Sequence, residues 1–291
     1  MGLRLVFSVK LYFINRGLLT LAHRMTVEAL GRTGAQERNL SRCRALYNAG
    51  QLDFFMGRYD DAQGYLEEGL SVAREIGDKG RIATVLQALG MVCLGQGSLG
   101  SARRYFEEGL NLTRDLGNKR EFAAAMNALA QLHRMEGNLD AAEPLYMTFL
   151  VLARELGDRE LVAIGLLNLA MVAIGRGFAD DAQKMLCEVL VVEEEIGSMP
   201  AGQSILEVSA GLAALREEWS GTALFFGAAE AQTVRTGLRR DPADEAFLAP
   251  LIVQARNALG ALDFATSEAA GRELSFEESM TKARAWLEAN R

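Results

Sequence analysis

Residues 95–100 read GQGSLG and match the glycine pattern GxGxxG of dinucleotide-binding loops. A loop that binds phosphate needs a strand before it and a helix after it. Here the stretch lies between two helical patterns, and the other repeats described below do not keep it. The residues therefore predict a plain turn, with phosphate binding as the alternative.

Histidines and cysteines give no catalytic or metal-binding constellation. His23 and His133 have no second histidine, cysteine or carboxylate at a spacing such as HExxH. Cys43, Cys93 and Cys187 form no CxxC pair and no disulfide framework, which suits a reducing compartment. We expect them to act as small apolar residues in helices. The sequence predicts no catalytic residue, no metal site and no cofactor.

Charged residues favour a solvated protein surface. The acidic runs fall on the expected solvent side of helices, where a solvated face is the interpretation and an acid–base pair the alternative. These runs are Glu67–Glu68, Glu107–Glu108 and Glu193–Glu195. The net charge of −7 disfavours direct binding to nucleic acid. Arg235, Arg239 and Arg240 predict an exposed basic loop, with an anionic partner as the alternative.

The N-terminal stretch MGLRLVFSVKLYFINR resembles a signal peptide only in being apolar. Arg4 and Lys10 interrupt it and no small-residue cleavage site follows, so we expect a buried amphipathic helix instead. No apolar run reaches the ~18 residues of a membrane span. A cytoplasmic protein with no membrane contact is predicted.

The chain repeats itself with a period of 40 residues. YLEEGLSVAREIGDKG at 65–80 returns as YFEEGLNLTRDLGNKR at 105–120. Glycine recurs at Gly17, Gly57, Gly97, Gly137 and Gly177, and alanine follows five residues later at Ala22, Ala62, Ala102, Ala142 and Ala182. Residues 60–76 have the apolar spacing of a helix that Gly77 ends, the next helix covers about 81–94, and Gly97 makes the turn into its partner. Each repeat is therefore predicted to be two antiparallel helices that must stack on neighbouring repeats.

Residues 86–110, LQALGMVCLGQGSLGSARRYFEEGL, resemble the tetratricopeptide repeat in their pattern of large, Leu-Gly, Gly, Ala and aromatic residues. The resemblance implies an all-α fold in which antiparallel helix pairs form a right-handed superhelical array. It implies about six repeats in residues 1–238, with boundaries near 17, 57, 97, 137, 177 and 218. In the last, degenerate repeat Glu218 is expected to take the glycine position and Ala223 the alanine position.

Residues 239–291 are predicted to form a C-terminal helical cap. Asp241 followed by Pro242 starts a helix. This helix is expected to cover 243–265 with a kink at Pro250, and Gly271 is expected to break the chain. Ser275 and Glu278 predict a capping box that opens a last helix through about residue 289.

The stretches at 223–232 and 258–283 resemble the C-terminal end of bacterial signalling proteins. Such proteins join a STAND-type ATPase domain to repeats, often with a LuxR-type or winged DNA-binding domain or a cyclase domain. No GxxxxGK[ST] loop and no DNA-binding helix-turn-helix is found in this sequence. The resemblance therefore implies a sensor or adaptor arm, with an ATPase or DNA-binding domain in cis or in trans.

The tetratricopeptide resemblance places the first helix of each pair along a concave groove. Its groove-facing candidates are Phe7, Leu11, Tyr47, Gln51, Phe54, Phe55, Gln87, Met91, Asn127, Gln131 and Arg134, followed by Leu167 and Met171. The function hypothesis is a non-enzymatic module that binds a protein partner or a small ligand there. One alternative is that half of the apolar candidates only pack against neighbouring repeats. Another is a structural scaffold that assembles through the exposed face of helix 3–15.

Overall fold

A computed structural model of the chain describes residues 2–289, and its described part is all-helical with no strand. The helices of the first six consecutive pairs are α1 Gly2–Asn15, α2 Leu19–Leu30, α3 Leu40–Phe55, α4 Tyr59–Glu75, α5 Lys79–Gly95, α6 Leu99–Leu116, α7 Lys119–Met135, α8 Leu139–Glu155, α9 Arg159–Gly175, α10 Ala179–Ile196, α11 Met199–Leu215 and α12 Trp219–Thr236. Three more follow, α13 Pro242–Leu259, α14 Ala261–Glu273 and α15 Phe276–Ala289, and a short 3₁₀ helix, Thr33–Ala35, lies between α2 and α3. The all-α prediction is confirmed. Within residues 2–289, every helix is too short or too polar to cross a membrane.

Glycines in the left-handed conformation terminate the repeat helices. Their φ angles lie between +58° and +81° at Gly17, Gly57, Gly77, Gly97, Gly117, Gly137, Gly157, Gly177 and Gly197. Only glycine adopts this backbone without a steric penalty from Cβ. The predicted turns at Gly77 and Gly97 are confirmed, and GQGSLG is the turn between α5 and α6.

The sixth pair keeps the period of 40 but not its residue types. Glu217, which lies 40 residues after Gly177, has φ +61°, and no other non-glycine residue among 2–289 has a positive φ. Thr222 is fully buried at the position of the repeated alanine. The prediction of Glu218 and Ala223 for these positions was wrong by one residue. The backbone period decides the position of the turn, even where the residue placed there costs about 1–2 kcal/mol in that conformation.

Small residues allow the two helices of a pair to approach closely. A Cβ atom at Gly90 of α5 would lie 2.2 Å from Cε1 of Phe106 in α6, a ring that is itself buried. A Cβ atom at Gly50 of α3 would lie 2.6 Å from Cγ of Leu66 in α4. A large side chain therefore lies directly on a glycine backbone in each pair, and a larger residue there would separate the helices.

The chain forms two compact units. The first comprises residues up to Leu132 together with Gly237–Pro242, and the second comprises 133–236 together with 243–291. The segment 237–242 is fixed to α3 of the first unit, where the backbone N–H of Arg239 donates to the carbonyl oxygen of Phe55 at 2.7 Å. The division into repeats at 1–238 and a cap at 239–291 stays a prediction.

In the second unit, α14 crosses α12 at two glycines. A Cβ atom at Gly271 would lie 2.0 Å from the carbonyl oxygen of Leu224, and one at Gly227 would lie 2.0 Å from that of Glu268. Phe264 of α14 is fully buried beside this crossing, in the same apolar cluster as α12 residues. The two backbones are thus in direct contact, which no side chain larger than hydrogen permits.

The C-terminal helices differ from the prediction at two glycines. Gly260, with φ +86°, separates α13 from α14, so residues 243–265 are not one helix. Gly271 lies inside α14 and does not break the chain, because its function is close contact with α12. The capping box is confirmed: Ser275 N–H donates to Glu278 Oε2 at 2.8 Å and Glu278 N–H donates to Ser275 Oγ at 3.2 Å.

Candidate binding surface

The first helices of successive pairs lie side by side in the first unit. Lys10 Nζ of α1 donates to Gln51 Oε1 of α3 at 2.5 Å. Gln87 Nε2 of α5 donates to the carbonyl oxygen of Ala124 in α7 at 3.2 Å, and Arg81 of α5 lies 3.8 Å from Glu121 of α7. These contacts define one surface made by α1, α3, α5 and α7, which we call the first-helix surface.

Most groove candidates of the first unit keep some exposure. Leu11 is 58% exposed. Partly buried candidates are Phe7, Tyr47, Gln51, Phe54, Phe55, Gln87, Met91 and Asn127. Gln131 is buried at 8% exposure. The assignment of this set to a groove that binds a partner stays a prediction.

Two of the aromatic candidates also have a packing role. Phe55 packs against the buried cluster of Leu19, Ala22 and Leu52. The ring of Phe54 lies 5.8 Å from the rings of both Phe55 and Tyr59. These aromatic contacts stabilise α3 against its neighbours, so Phe54 and Phe55 are poor choices for a substitution that must leave the fold intact.

Charged and polar groups surround Tyr47 on this surface. Lys10 Nζ lies 4.9 Å from the centre of the Tyr47 ring, and the Arg44 guanidinium lies 4.9 Å from the centre of the Phe7 ring. Burial, and then the positive charge of Arg81, lower the pKa of Lys10 to about 8. Burial raises the pKa of Tyr47 and that of Glu121. The surface therefore holds cations in a partly dehydrated environment, where their interactions with an anion are stronger than in water.

Arg134 has a different environment, in the second unit. Its guanidinium pairs with Asp244 of α13 and donates to Tyr146 Oη at 3.2 Å, Asn168 Oδ1 at 3.3 Å and Met171 Sδ at 3.0 Å. The Arg134 side chain is 4% exposed. These contacts join the last turn of α7, which belongs to the second unit, to α8, α9 and α13, so Arg134 stabilises the fold there. Asp244 was missed by sequence reasoning because it lies 110 residues away from Arg134 in the chain.

The first helix of the sixth pair, α11, is covered by two of the chain's own C-terminal helices, α13 and α15. A Cβ atom at Gly211 of α11 would lie 2.6 Å from Cζ of Phe247 in α13, and one at Gly202 would lie 2.3 Å from Cζ of Phe276 in α15. Leu167 and Met171 of α9 are buried at 5% and 3% exposure. The expectation that Leu167 and Met171 line an open groove is wrong, because their side chains belong to the interior of the second unit.

An acidic pocket of about 440 Å³ lies elsewhere on the first unit. Asp53, 1% exposed, lies 2.5 Å from Arg58 Nη2 and 3.1 Å from His23 Nε2. The remaining lining residues are Asp60, Asp61, Gly64, Tyr65 and Glu68. Among the described residues, no group of three or more histidine, cysteine or carboxylate side chains is arranged to hold a metal ion. Asp53 is the residue that sequence reasoning missed here, and its contacts with His23 and Arg58 give it a structural role in joining α2, α3 and the α3–α4 turn.

The cysteines lie in helices, as predicted, and the environments of Cys43 and Cys93 do not activate their thiols. Cys43 and Cys93 are buried, and burial raises the pKa of both thiols. A nucleophilic cysteine needs a lowered pKa. His133 Nδ1 lies 3.5 Å from Glu136 Oε2, one turn further along the chain.

Known proteins share this fold at low sequence identity. Residues 41–115 match the model of the tetratricopeptide repeat family, and no curated protein matches the chain. A structure of a Rap protein complexed with Competence and Sporulation Factor has a TM-score of 0.74 at 13% identity, and the alignment covers 100% of this chain and 77% of that one. NprR in complex with its cognate peptide NprX has a TM-score of 0.60 at 16% identity, with coverage of 99% and 87%. The apo form of RapI has a TM-score of 0.58 at 12% identity, with coverage of 89% and 99%.

These likenesses show the fold: the chain is a tetratricopeptide-like helical repeat protein. The matched family model lies wholly within the first unit, where the first-helix surface is found.

Proposed function

We propose that this chain is a non-enzymatic binding arm that recognises a peptide or protein partner on the first-helix surface. The observation that carries the proposal is the difference between the two units. In the first unit α1, α3 and α5 present partly exposed aromatic, amide and methionine side chains. In the second unit α11 is covered by α13 and α15, and the α9 candidates Leu167 and Met171 are buried. Aromatic and methionine side chains on an accessible surface are typical of partner recognition.

A role as a cytoplasmic sensor or adaptor in bacterial signalling or transcription regulation fits this proposal. The similar structures include NprR bound to its cognate peptide and a Rap protein complexed with Competence and Sporulation Factor. By analogy, the partner here is a peptide or a peptide-like segment of a protein. Binding would favour one arrangement of the helix pairs over another, and so act on an ATPase or DNA-binding domain in cis or in trans.

Site-specific photo-crosslinking tests where the partner binds. A benzophenone amino acid at Met91, a partly buried residue of α5 on this surface, should crosslink a partner in extracts of the source cell. The same group at Asn111, an exposed residue of α6, is the matched control and should not. Crosslinks at Asn111 with none at Met91 would refute the proposed surface. A specific hydrolase or transferase activity lost in Cys93→Ala would refute the non-enzymatic role.

Self-assembly through α1 is a second candidate function, which one observation favours. Leu5, Leu11 and Tyr12 of α1 are 56%, 58% and 60% exposed, an unusual density of large apolar side chains on one short helix. If α1 forms a constitutive contact between copies, light scattering should detect an oligomer that Leu11→Ser together with Tyr12→Ser dissolves. A monomeric wild-type protein would remove this candidate.

A further inference from the structure

Three cationic side chains lie together on the first-helix surface. They are Lys10 of α1, Arg44 of α3 and Arg81 of α5, and we call them the cationic cluster. Lys10 lies over the ring of Tyr47, and Arg44 precedes Tyr47 by one helical turn. The charge of Arg81 acts on both Lys10 and Tyr47. The cluster therefore spans three adjacent helices, with Lys10 over the ring of Tyr47 and Arg44 over the ring of Phe7.

The positive charge of this cluster is poorly neutralised. Lys10 donates to Gln51, a neutral amide. Arg44 Nε is buried and has no hydrogen-bond partner among the described residues. The carboxylates that act on this region are Asp78, whose Oδ1 accepts from the backbone N–H of Arg81, and Glu121. Glu121 pairs with Arg81 at 3.8 Å, so the cations of the cluster that have no carboxylate partner among the described residues are Lys10 and Arg44.

Other arginines of the chain are neutralised individually by carboxylates. Such pairs are Arg42 with Glu68 at 2.7 Å, Arg74 with Glu108 at 3.2 Å and Arg154 with Glu188 at 2.8 Å. The chain as a whole is acidic, with 38 Asp and Glu against 31 Lys and Arg. Lys10 and Arg44, the two cations of the first-helix surface without a carboxylate partner, are thus opposite in sign to the net charge of the chain.

We propose that the cationic cluster binds the carboxylate side chains of an acidic peptide lying across α1, α3 and α5. Charged donors that are partly shielded from water form short, strong hydrogen bonds with carboxylates, and complementary charge selects the partner. The rings of Phe7 and Tyr47 beside the cations provide apolar area for the peptide's other side chains. The inference rests on the proposed function and adds the chemical class of the ligand. The net charge of −7 argues against a nucleic acid in the same place.

Selection from a random peptide library tests this inference with the full chain. Displayed peptides whose C-termini are fused to the carrier present acidic side chains but no terminal carboxylate. Peptides selected on the wild-type chain should be rich in Asp and Glu. When they are then synthesised with amidated C-termini and a fluorescent label, their affinity should fall with added salt. Lys10→Met and Arg44→Met should each weaken binding about tenfold or more.

The matched control is Arg114→Met, which removes the same charge at an exposed position in the last turn of α6. It should leave the affinity unchanged, and far-UV circular dichroism should show the same helicity for all variants. Peptides that bind equally well to wild type, Lys10→Met and Arg44→Met would overturn the acidic-ligand inference and leave the proposed function standing.

Two other results would also overturn the inference. If Lys10→Met weakens binding but binders come only from a library with free C-termini, the cationic cluster binds a terminal carboxylate and not acidic side chains. Tighter binding of a single-stranded oligonucleotide than of any peptide would assign it to phosphate. A complete lack of peptide binders, together with no crosslink at Met91, would overturn the proposed function itself.

Discussion

Replacing Gly271 by alanine should separate α14 from α12. The added Cβ atom would lie 2.0 Å from the carbonyl oxygen of Leu224 and 2.9 Å from the nitrogen of Ala228, and both are backbone atoms. No rotamer change can relieve a clash between backbones, so the helices must move apart and lose contacts around Phe264. Overpacking of this kind costs about 1–3 kcal/mol, and the backbone contact places Gly271→Ala at the upper end, near 3. The better helix propensity of alanine offsets about 1 kcal/mol, which leaves a net loss of about 2 kcal/mol.

Tryptophan fluorescence can report this change directly. Both tryptophans of the chain, Trp219 and Trp286, lie in the second unit, and the Trp286 ring is 5.2 Å from the ring of Phe225 in α12. With an m-value of about 2 kcal/mol per M, the urea midpoint should fall by about 1 M. Gly227→Ala should have a similar effect. The double variant should lose less than the sum of the two, since separated helices no longer clash.

The matched control is Gly64→Ala in α4 of the first unit, where the added Cβ atom would meet no heavy atom within 4 Å, and its urea unfolding is followed by far-UV circular dichroism. Here the helix propensity acts alone, so the free energy of unfolding should rise by about 0.5–1 kcal/mol. An unchanged or higher midpoint for Gly271→Ala would refute the claim that backbone contact at this crossing holds the second unit together.

Substitutions at three further residues test other features. Because the pKa of Lys10 is lowered from 10.5 to about 8, the unfolded chain binds more protons between these pH values, and the free energy of unfolding should rise with pH across that window. Lys10→Met should abolish this rise of the free energy of unfolding with pH. In urea titrations at pH 7 it should also stabilise the protein by up to about 3 kcal/mol. A pH profile identical to that of the wild type would contradict the assignment of this effect to Lys10. Glu217→Gly should stabilise by about 1 kcal/mol in thermal unfolding while Glu217→Ala should not, since only glycine relieves the left-handed strain. Asp244→Ala should destabilise by about 3–5 kcal/mol because it leaves buried Arg134 without its carboxylate, and an effect below about 1 kcal/mol would contradict this assignment.

The helix pairs could be predicted from sequence because their signals are local and repeated. Glycine every 40 residues sets each turn, and the alanine five residues later sets each close approach. The sixth turn at Glu217 follows the period even though the residue type gives no sign of it. At the C-terminal end, Gly260 and Gly271 look alike in sequence. Gly260 forms the turn between α13 and α14, whereas Gly271 allows α14 to cross α12 closely. Only the tertiary contact with α12 distinguishes these two roles.

The candidate surface was predictable only in part. The period identifies which helix of each pair is the first, and thereby Tyr47, Gln87 and Met91. It cannot reveal that α13 and α15, which lie outside the repeat, cover α11 in the second unit. For the same reason Arg134 was expected on a binding surface, since its carboxylate partner carries no local signal. Lys10 and Arg44 were missed as binding candidates because the property that marks them is the lack of a carboxylate partner, which only the structure shows.

The turns that follow Gly77 and Gly117 have a consequence for how such a chain can change its length. Both glycines have nearly the same φ, +70° and +65°, and each is followed by a side chain that caps the next helix. Asp78 Oδ1 accepts from the N–H of Arg81, and Asn118 Oδ1 accepts from the N–H of Glu121. The segments before the two turns, 65–77 and 105–117, are also similar in sequence, with seven of 13 positions identical. Excision of residues 78–117 would join Gly77 to Asn118 and recreate a capped turn that already exists in the molecule. Unequal recombination between the two segments therefore removes or duplicates whole helix pairs without requiring a new junction.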